Sequence, residues 1–360
     1  MRVLLVEPYF GGSHRQWAEG FAAASTNEVH LVTHDARFWK WRMEGGHVTL
    51  SQSASEVVAR HGQPDVLLAS DMLNLPAFLG ASRSFLGDPA TALFMHENQL
   101  TYPASHQVQE DLTHAVINWS SAAAADGVFF NSGYHLESFF GALPELLGRF
   151  PDYRHSALVD NAKIRSSVLP VGVDLERFDS VVATRTSPPL ILWNQRWEHD
   201  KNPAEFFGAL DALADDGVDF RVALAGEAFS TIPGEFEAAR DRLGRRVVHF
   251  GFAEPAAYEE LLRAADIVVS TANHEFFGVA IVEAIYAGAW PVLPNRLAYP
   301  GHVPETRRAE VLYDDFDGLV DRLRRLVKDP PTESLGEHVR HYDWSVVGPQ
   351  YDAALRALVS

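Results

Sequence analysis

The feature that most constrains the fold is an alternation of short apolar runs with amphipathic stretches, which passes along the chain twice. The first series begins at Arg2–Val6, and the second begins at Leu190–Trp193, after the polar, proline-rich stretch Thr184–Pro189. Short apolar runs are typical of strands buried on both faces, and strands that alternate with helices form right-handed βαβ units around a parallel sheet. We therefore predict an α/β chain with two successive doubly wound sheets, in domains 1–180 and 181–344.

The predicted strands of the first series are Arg2–Val6, Val29–Thr33, Val66–Ser70, Ala90–Met95, Gly127–Phe130 and Val168–Leu169. Those of the second series are Leu190–Trp193, Phe220–Ala225, Val247–Phe250, Ile267–Ser270 and Pro291–Leu293. Among the helices, Pro203–Ala214 is marked by Asn202 as N-cap and by proline at the first helical position. The remaining predicted helices are His14–Ala24, Tyr258–Ala264, Gly278–Ala287, Leu319–Lys328 and Trp344–Leu358.

Composition excludes several classes of protein. The chain of 360 residues contains no cysteine, which rules out disulfide scaffolds, cysteine nucleophiles and cysteine-ligated metals. A net charge of −18 disfavours an extensive basic surface for nucleic acid, although it allows a local one. The first apolar run is cut by Glu7, and no apolar stretch approaches the ~20 residues that span a bilayer. We therefore expect a cytoplasmic protein without a membrane span.

Ligands of doubly wound sheets bind at the carboxyl ends of the strands, so we expect the site in a cleft between two facing sheets. Gly11 and Gly12 follow the first predicted strand. Glycines there either let backbone amides approach a phosphate or sugar at the next helix, or simply form a tight turn. Asp35, after the second strand, keeps a nicotinamide-dependent enzyme as a weak alternative.

Two cations follow the first strand of the second series. Arg196 and Lys201, one of four lysines in the chain, lie just before a predicted helix N-terminus. Two cations at that position form a clamp for a diphosphate. The alternative is a solvated basic pair, or ion pairs with Glu198 and Asp200.

Two glutamates, Glu275 and Glu283, lie eight residues apart around a predicted strand–helix junction. This spacing places one in the loop and one in the helix, so that both can face one ligand. Between them, Phe277, Gly278 and Val279 present amides at a helix N-terminus, where anions are favoured. A capping role is the alternative for Glu275, whereas Glu283 needs an explanation because lone buried carboxylates are costly.

The segment 37–42 combines cations with aromatic residues. It contains Arg37, Trp39, Lys40, Trp41 and Arg42. Aromatic rings interleaved with cations suit base stacking and phosphate contact, which makes this segment the candidate RNA contact. The alternative is a short amphipathic helix whose tryptophans belong to the core.

Together, Arg196, Lys201, Glu275, Glu283 and the junction Gly172-Val173-Asp174 resemble retaining glycosyltransferases of the GT-B type, family 4, across nearly the whole chain. The resemblance implies two Rossmann-like domains that face a cleft, with a final helix, about 345–360, that returns to the first domain. It also implies a site without metal, in which Arg196 and Lys201 replace a divalent cation. None of the 16 histidines forms a His-x-x-x-His pair with a carboxylate in a helical pattern, and we expect no cofactor beyond the donor substrate.

Further segments are similar to the tRNA-queuosine mannosyltransferase family. They are Glu7–His14, Phe38–Met43, Met95–Pro103 and Arg196–Lys201. The resemblance implies GDP-mannose as donor and the cyclopentenediol of queuosine in tRNA-Asp as acceptor. A lipid, polysaccharide or small-molecule acceptor, or a protein that only binds sugar nucleotides or RNA, is the alternative.

The resemblance also implies roles for individual residues. Arg196 and Lys201 hold the departing diphosphate, Glu283 binds the nucleotide ribose, and Glu275 binds the transferred sugar. His96, after the fourth strand, orients the donor or takes up an acceptor proton; its alternative is a structural histidine. The acceptor side is formed by Gly11, Gly12, His14, Glu97, Asn98 and Gln99, with Tyr102 available for stacking.

Overall fold

The computed structural model describes residues 1–102, 111–179, 185–227 and 232–359. They divide into two compact units, Met1–Val173 with Trp344–Ser360, and Asp174–Asp343. The boundary therefore precedes the predicted one at residue 180. Its position has a physical reason, because the amides of Leu175 and Glu176 both donate to the carboxylate of Asp343, within the second unit.

The first unit contains a six-stranded parallel sheet in the order β2-β1-β3-β4-β5-β6. Its strands are β1 (Arg2–Phe10), β2 (Glu28–Asp35), β3 (Val66–Ser70), β4 (Ala90–Met95), β5 (Gly127–Phe130) and β6 (Ser166–Val168). Its helices are α1 (Gly12–Ala24), α2 (Trp39–His61), α3 (Leu75–Ser82), α4 (Thr113–Ala124), α5 (Gly133–Gly148) and α6 (Ser156–Ile164). Buried aliphatic and aromatic side chains pack between the sheet and these helices.

The second unit contains another six-stranded parallel sheet, in the order β12-β11-β10-β7-β8-β9. Its strands are β7 (Leu190–Trp193), β8 (Arg221–Ala225), β9 (Val247–Gly251), β10 (Ile267–Val269), β11 (Trp290–Pro294) and β12 (Leu312–Tyr313). Its helices are α7 (Pro203–Asp215), α8 (Gly234–Leu243), α9 (Pro255–Ala264), α10 (Val279–Tyr286), α11 (Arg308–Val311), α12 (Phe316–Lys328) and α13 (Gly336–Val339).

The predicted parallel α/β architecture is confirmed for both units. In the first sheet the chain changes direction between β1 and β3, and in the second between β7 and β10. Such switch points leave a crevice at the carboxyl ends of the strands, where ligands of open α/β sheets bind. We therefore expect the ligand-binding residues in the loops after β1, β3, β7 and β10.

One local expectation was wrong in its detail. Asn202 precedes α7 as predicted, but it has a left-handed conformation with φ of 52° and its side chain makes no capping bond. The side-chain amide Nδ2 of Asn202 donates to the carboxylate of Glu205 instead. Proline has no backbone N–H, so Pro203 at the first helical position leaves one fewer unpaired amide for a capping side chain to satisfy.

The final helix, α14 (Trp344–Val359), belongs to the first unit. Its Trp344 lies so close to Gly20 and Gly172 that a Cβ at either glycine would come within 2.1–2.3 Å of the indole. Tyr351 accepts a hydrogen bond from Trp17 Nε1 at 3.0 Å. None of the helices in the described ranges combines the length and the apolar character needed to cross a membrane.

Asp352 of α14 holds the turn between α1 and β2. Its two carboxylate oxygens accept from Ser25 Oγ (2.5 Å), Thr26 N (2.8 Å), Thr26 Oγ1 (2.5 Å) and Asn27 Nδ2 (2.7 Å). Burial would raise the pKa of Asp352, but these four bonds outweigh it and hold the pKa below its ordinary value.

We expect Asp352→Asn to destabilise the protein by about 2–3 kcal/mol at pH 7, because the neutral amide weakens charged hydrogen bonds. The difference in the free energy of unfolding between the variant and wild type should reach its full size above the ordinary pKa of aspartate. It should shrink as the pH falls through the lowered folded pKa, where the wild-type carboxylate also becomes neutral. Thermal unfolding at several pH values measures this, with the exposed Asp88→Asn as control. Equal unfolding temperatures for Asp352→Asn and Asp88→Asn at pH 7 would contradict it.

Candidate active site

Lys201 is the centre of a buried charge cluster at the carboxyl end of β7. Its Nζ donates to the carbonyl of His274 at 2.8 Å and lies 3.1 Å from Asp200 Oδ2 and 3.3 Å from Glu275 Oε2. Burial would lower the pKa of Lys201, but Glu275 and Asp200 outweigh it and raise the pKa above its ordinary value. Lys201 therefore remains a cation at neutral pH although its side chain is only 7% exposed.

Arg196, in the same loop, is much more accessible. Its side chain is 47% exposed, and its guanidinium lies 3.5 Å from Glu198. The structure thus contains the two ion pairs that were the alternative to a diphosphate clamp, Arg196 with Glu198 and Lys201 with Asp200. Of these two cations, Arg196 is the more exposed and Lys201 is buried.

Glu275 lies in the loop between β10 and α10. Its Oε1 accepts from the amides of Phe276 (3.1 Å) and Phe277 (3.3 Å), and its Oε2 faces Lys201. Burial would raise the pKa of Glu275, but Lys201 and the Phe277 amide outweigh it and lower the pKa. Gly278 follows with φ of 91°, a conformation that favours glycine, and α10 begins at Val279. The capping alternative is thus present alongside the ion pair.

Glu283 lies in the second turn of α10 and is 5% exposed. Arg177 Nη2 donates to its Oε1 at 2.6 Å, and the hydroxyl of Tyr258 donates to its Oε2 at 2.8 Å. Burial raises the pKa of Glu283, and Arg177 and Tyr258 offset this only in part. Sequence reasoning missed both partners. Because burial of an unpaired carboxylate is costly, Glu283 was expected to have a partner, but nothing in the sequence pattern indicated which residue that partner would be.

In the first unit, Glu7 is a candidate site residue for which the sequence predicted no role, although it interrupts an apolar run and begins the segment Glu7–His14. It is fully buried near the end of β1. Its Oε1 accepts from the amide of Tyr9 at 2.8 Å, and its Oε2 lies 3.1 Å from His14 Nδ1 and 4.0 Å from His96 Nε2. The two imidazole rings lie 4.1 Å apart.

This arrangement separates the two histidines in charge. Burial would lower the pKa of His14, but Glu7 outweighs it and raises the pKa to about 9. Burial and the neighbouring His14 and His135 lower the pKa of His96 well below its ordinary value. At neutral pH His14 is a cation that donates, whereas His96 stays neutral and can accept a hydrogen bond. Within the described chain, His96 Nε2 has no hydrogen-bond partner.

Asp71, which follows β3, supports the His96 segment. Its Oδ1 accepts from the amide of His96 at 2.8 Å, while Asn131 Nδ2 donates to the carbonyl of His96 at 2.8 Å. Burial raises the pKa of Asp71 to about 8. The backbone of His96 is therefore held by hydrogen bonds to both its amide and its carbonyl.

The other predicted acceptor-side residues have distinct environments. The side-chain oxygen of the buried Asn98 accepts from Leu100 N and Thr101 N, both at 3.1 Å, so it holds a turn. The Nδ2 of Asn98 has no hydrogen-bond partner among the described residues. Gln99 Nε2 donates to Glu97 Oε1 at 3.0 Å. Gly11 is required by packing, because a Cβ would lie 2.5 Å from that of Ala36, and Gly12 has φ of 51° with open space beside it.

The segment 37–42 has features both of an RNA contact and of an amphipathic helix whose tryptophans belong to the core. Trp39 packs against Met43, Met72 and Ile117 as part of the core. Trp41 is 62% exposed and Phe38 is 78% exposed. Lys40 lies 5.6 Å from the centroid of the Trp39 ring, and Arg42 Nε donates to the carbonyl of Asp35. Trp41 is therefore the tryptophan that is available for stacking.

Three groups of side chains within the described ranges bring potential metal ligands within 4.8 Å of one another: Glu7, His14 and His96; Glu28, His30 and His61; and Glu44, Asp111 and His114. In the first group the Glu7–His14 bond and the ring contact of the histidines account for the arrangement without an ion.

Comparisons with known proteins agree with this division into units. Residues 2–173 match the family model described as tRNA-queuosine alpha-mannosyltransferase N-terminal, and residues 175–341 match Glycosyl transferases group 1. The tRNA-queuosine alpha-mannosyltransferase of Drosophila melanogaster is 33% identical over 91% of this chain and 87% of its own length.

More distant relatives share the architecture. A GDP-mannose-dependent alpha-(1-6)-phosphatidylinositol dimannoside mannosyltransferase of Mycobacterium tuberculosis is 26% identical over 82% of this chain and 80% of its own length. The catalytic domain of starch synthase IV from Arabidopsis thaliana superposes with a TM-score of 0.74 at 12% identity, over 100% of this chain and 99% of its own. The predicted GT-B fold with two Rossmann-like domains is thereby confirmed, and the chain is a glycosyltransferase that belongs to the tRNA-queuosine alpha-mannosyltransferase family.

Proposed function

We propose that this protein transfers mannose from GDP-mannose to the cyclopentenediol of queuosine in tRNA-Asp, with retention of configuration. The observation that carries the proposal is the complete donor-side set, Arg196, Lys201, Glu275 and Glu283, in a chain that matches a relative named for this activity over 91% of its length. Relatives named as GDP-mannose-dependent support the donor. Because mannose in GDP-mannose is α-linked, an α-mannoside product requires retention.

In the proposed reaction, the donor's diphosphate binds next to the loop after β7. Arg196 and Lys201 stabilise the negative charge that grows on the diphosphate as its bond to the anomeric carbon breaks. The acceptor hydroxyl forms the new bond to that carbon from the same face, and its proton passes to the departing phosphate oxygen. GDP leaves, and neither an enzyme nucleophile nor a metal ion is required.

The two glutamates hold the rest of the donor. Glu283, oriented by Arg177 and Tyr258, accepts from the ribose hydroxyls through its remaining lone pairs. Glu275, kept ionised by Lys201 and the backbone amides, binds hydroxyls of the transferred sugar. Both carboxylates are oriented by protein groups before the donor arrives, which favours catalysis through preorganisation.

The acceptor side is the carboxyl edge of the first sheet. His14, charged by its contact with Glu7, donates to a hydroxyl of the acceptor, and neutral His96 accepts from it. Glu97, the Asn98 amide and Gln99 supply further hydrogen-bonding groups in the next turn. A vicinal diol needs both donors and acceptors, and this edge offers both.

A lipid acceptor is the second candidate, favoured by the likeness to a phosphatidylinositol dimannoside mannosyltransferase. The exposed Phe38 and Trp41 next to Lys40 also suit a membrane interface. The experiment below includes lipid acceptors for this reason.

The test is incubation with GDP-mannose, UDP-glucose or UDP-galactose in the presence of EDTA, with tRNA that carries queuosine, tRNA that lacks it, or a lipid extract. Mass analysis of nucleosides and lipids follows. We expect one hexose added to queuosine, from GDP-mannose alone. Transfer to lipid, or dependence on added magnesium or manganese, would contradict the proposal.

Arg196→Ala should slow transfer about 100-fold, since it removes a preorganised group that faces developing charge. Its unfolding temperature should stay near that of wild type because the side chain is largely exposed. Lys201→Ala is a less clean test, since it would leave Asp200 and Glu275 buried without their cation. Arg242→Ala, an arginine of the same unit that is 50% exposed, is the matched control. Normal turnover by Arg196→Ala would remove this residue from the clamp.

Glu7→Gln should shift the pH profile of transfer. The amide keeps the shape of Glu7 but loses the charge that raises the pKa of His14, so burial should bring that pKa well below about 9. The alkaline limit of activity should move to lower pH, and NMR titration of His14 should show the same shift. Glu28→Gln, at an exposed pair with His30, serves as control. A His14 that still titrates near pH 9 in Glu7→Gln would refute the role of Glu7.

A further inference from the structure

A groove runs along α4 in the first unit, and no role has been assigned to it so far. Its cavity has a volume of about 560 Å³. Its lining includes Thr113, Val116 and Ile117 of α4, Glu44 of α2, and Phe150. We propose that this groove receives an unstacked nucleobase of the RNA acceptor, next to the nucleoside that is modified.

The lining has the chemistry that a nucleobase requires. Val116, Ile117 and the ring of Phe150 offer apolar surface for the face of a base, and the Thr113 hydroxyl and the Glu44 carboxylate offer polar groups for its edge. Sequence-specific RNA recognition commonly places splayed bases against aromatic side chains while their edges form hydrogen bonds. The volume lies within the range of small-molecule pockets and leaves room for one base and its sugar.

The flanks of the groove suit a sugar–phosphate backbone. On the α2 side, Lys40 and the 62%-exposed Trp41 lie within one helical turn of Glu44. Around Phe150 in the chain, Tyr153, which is 80% exposed, lies with Arg149 and Arg154 in a stretch, 148–158, that is exposed throughout. The chain as a whole has a net charge of −18, but each of the two flanking segments, 37–42 and 149–155, contains more cations than carboxylates. Cations attract the phosphates of RNA, but an acidic protein offers no bases for the groove to bind. This charge pattern therefore favours RNA as the molecule that binds along the groove.

Packing contacts lead from the proposed acceptor residues toward the groove. His14 lies against Tyr9, with ring centroids 5.9 Å apart, and Tyr9 and Trp39 both pack against the small core cluster. Trp39 in turn lies 4.9 Å from His114, whose Nε2 is 3.0 Å from Glu44 at the groove. The groove and the proposed acceptor residues therefore belong to the same unit and border one packed cluster.

This inference rests on the proposed function, since it assumes an RNA acceptor. Phe150→Ala removes the aromatic side chain from the lining of the groove, and Val116→Trp places a larger side chain in that lining. Phe252→Ala, a phenylalanine that is 62% exposed in the second unit, is the matched control. Three quantities are measured for each variant: affinity for queuosine-bearing tRNA by fluorescence anisotropy, kcat/KM with that tRNA, and kcat/KM with the free queuosine nucleoside.

We expect both groove variants to bind tRNA about five- to hundredfold more weakly, the range that stacking of one base provides. Their kcat/KM with the free nucleoside should equal that of wild type and of Phe252→Ala, because the groove does not touch the reacting groups. Unchanged tRNA affinity in both groove variants would overturn the proposal, as would an equal loss of activity on tRNA and on the nucleoside. A wild-type protein that modifies neither substrate would instead refute the proposed function.

Discussion

The site depends on the neutralisation of charges that are buried at the carboxyl edge of each parallel sheet. In the second unit, the cation of Lys201 lies within about 3.3 Å of two carboxylates, and in the first unit Glu7 lies within about 4 Å of two imidazoles. A buried ion without a partner costs several kcal/mol, so each of these groups fixes the position of its neighbour. Charge compensation therefore orients the reactive groups without a ligand.

This compensation also assigns different chemical roles to similar side chains. His14 and His96 lie in contact, yet the first is held charged by Glu7 and the second is neutral because of burial and its charged neighbour. Glu275 is kept ionised by Lys201, whereas burial raises the pKa of Glu283 despite Arg177. In the proposed reaction these differences separate groups that donate, accept and bind charge. Environment, rather than residue type, determines each role.

The sequence predicted much of this arrangement because strands and turns have local signals. The two series of apolar runs located both sheets, and the residues after the strands included Arg196, Lys201 and Glu275. The partners of these residues could not be predicted. Arg177 and Glu283 lie 106 positions apart, and only the fold brings them together. Likewise, Trp39 and Trp41 are two residues apart in one helix and so lie on different faces, but the segment 37–42 did not indicate which of them would pack against the core and which would be exposed.

The central claim is that the unit Asp174–Asp343 binds the nucleotide sugar and that the unit formed by residues 1–173 and 344–360 binds the RNA. Hydrogen–deuterium exchange of the whole protein, with GDP-mannose alone and with queuosine-bearing tRNA alone, tests this division directly. We predict that GDP-mannose protects mainly 194–202 and 274–283, and that tRNA protects mainly 7–14, 37–42 and 96–99. Protection of the first unit by GDP-mannose without protection of 194–202 and 274–283 would contradict the account.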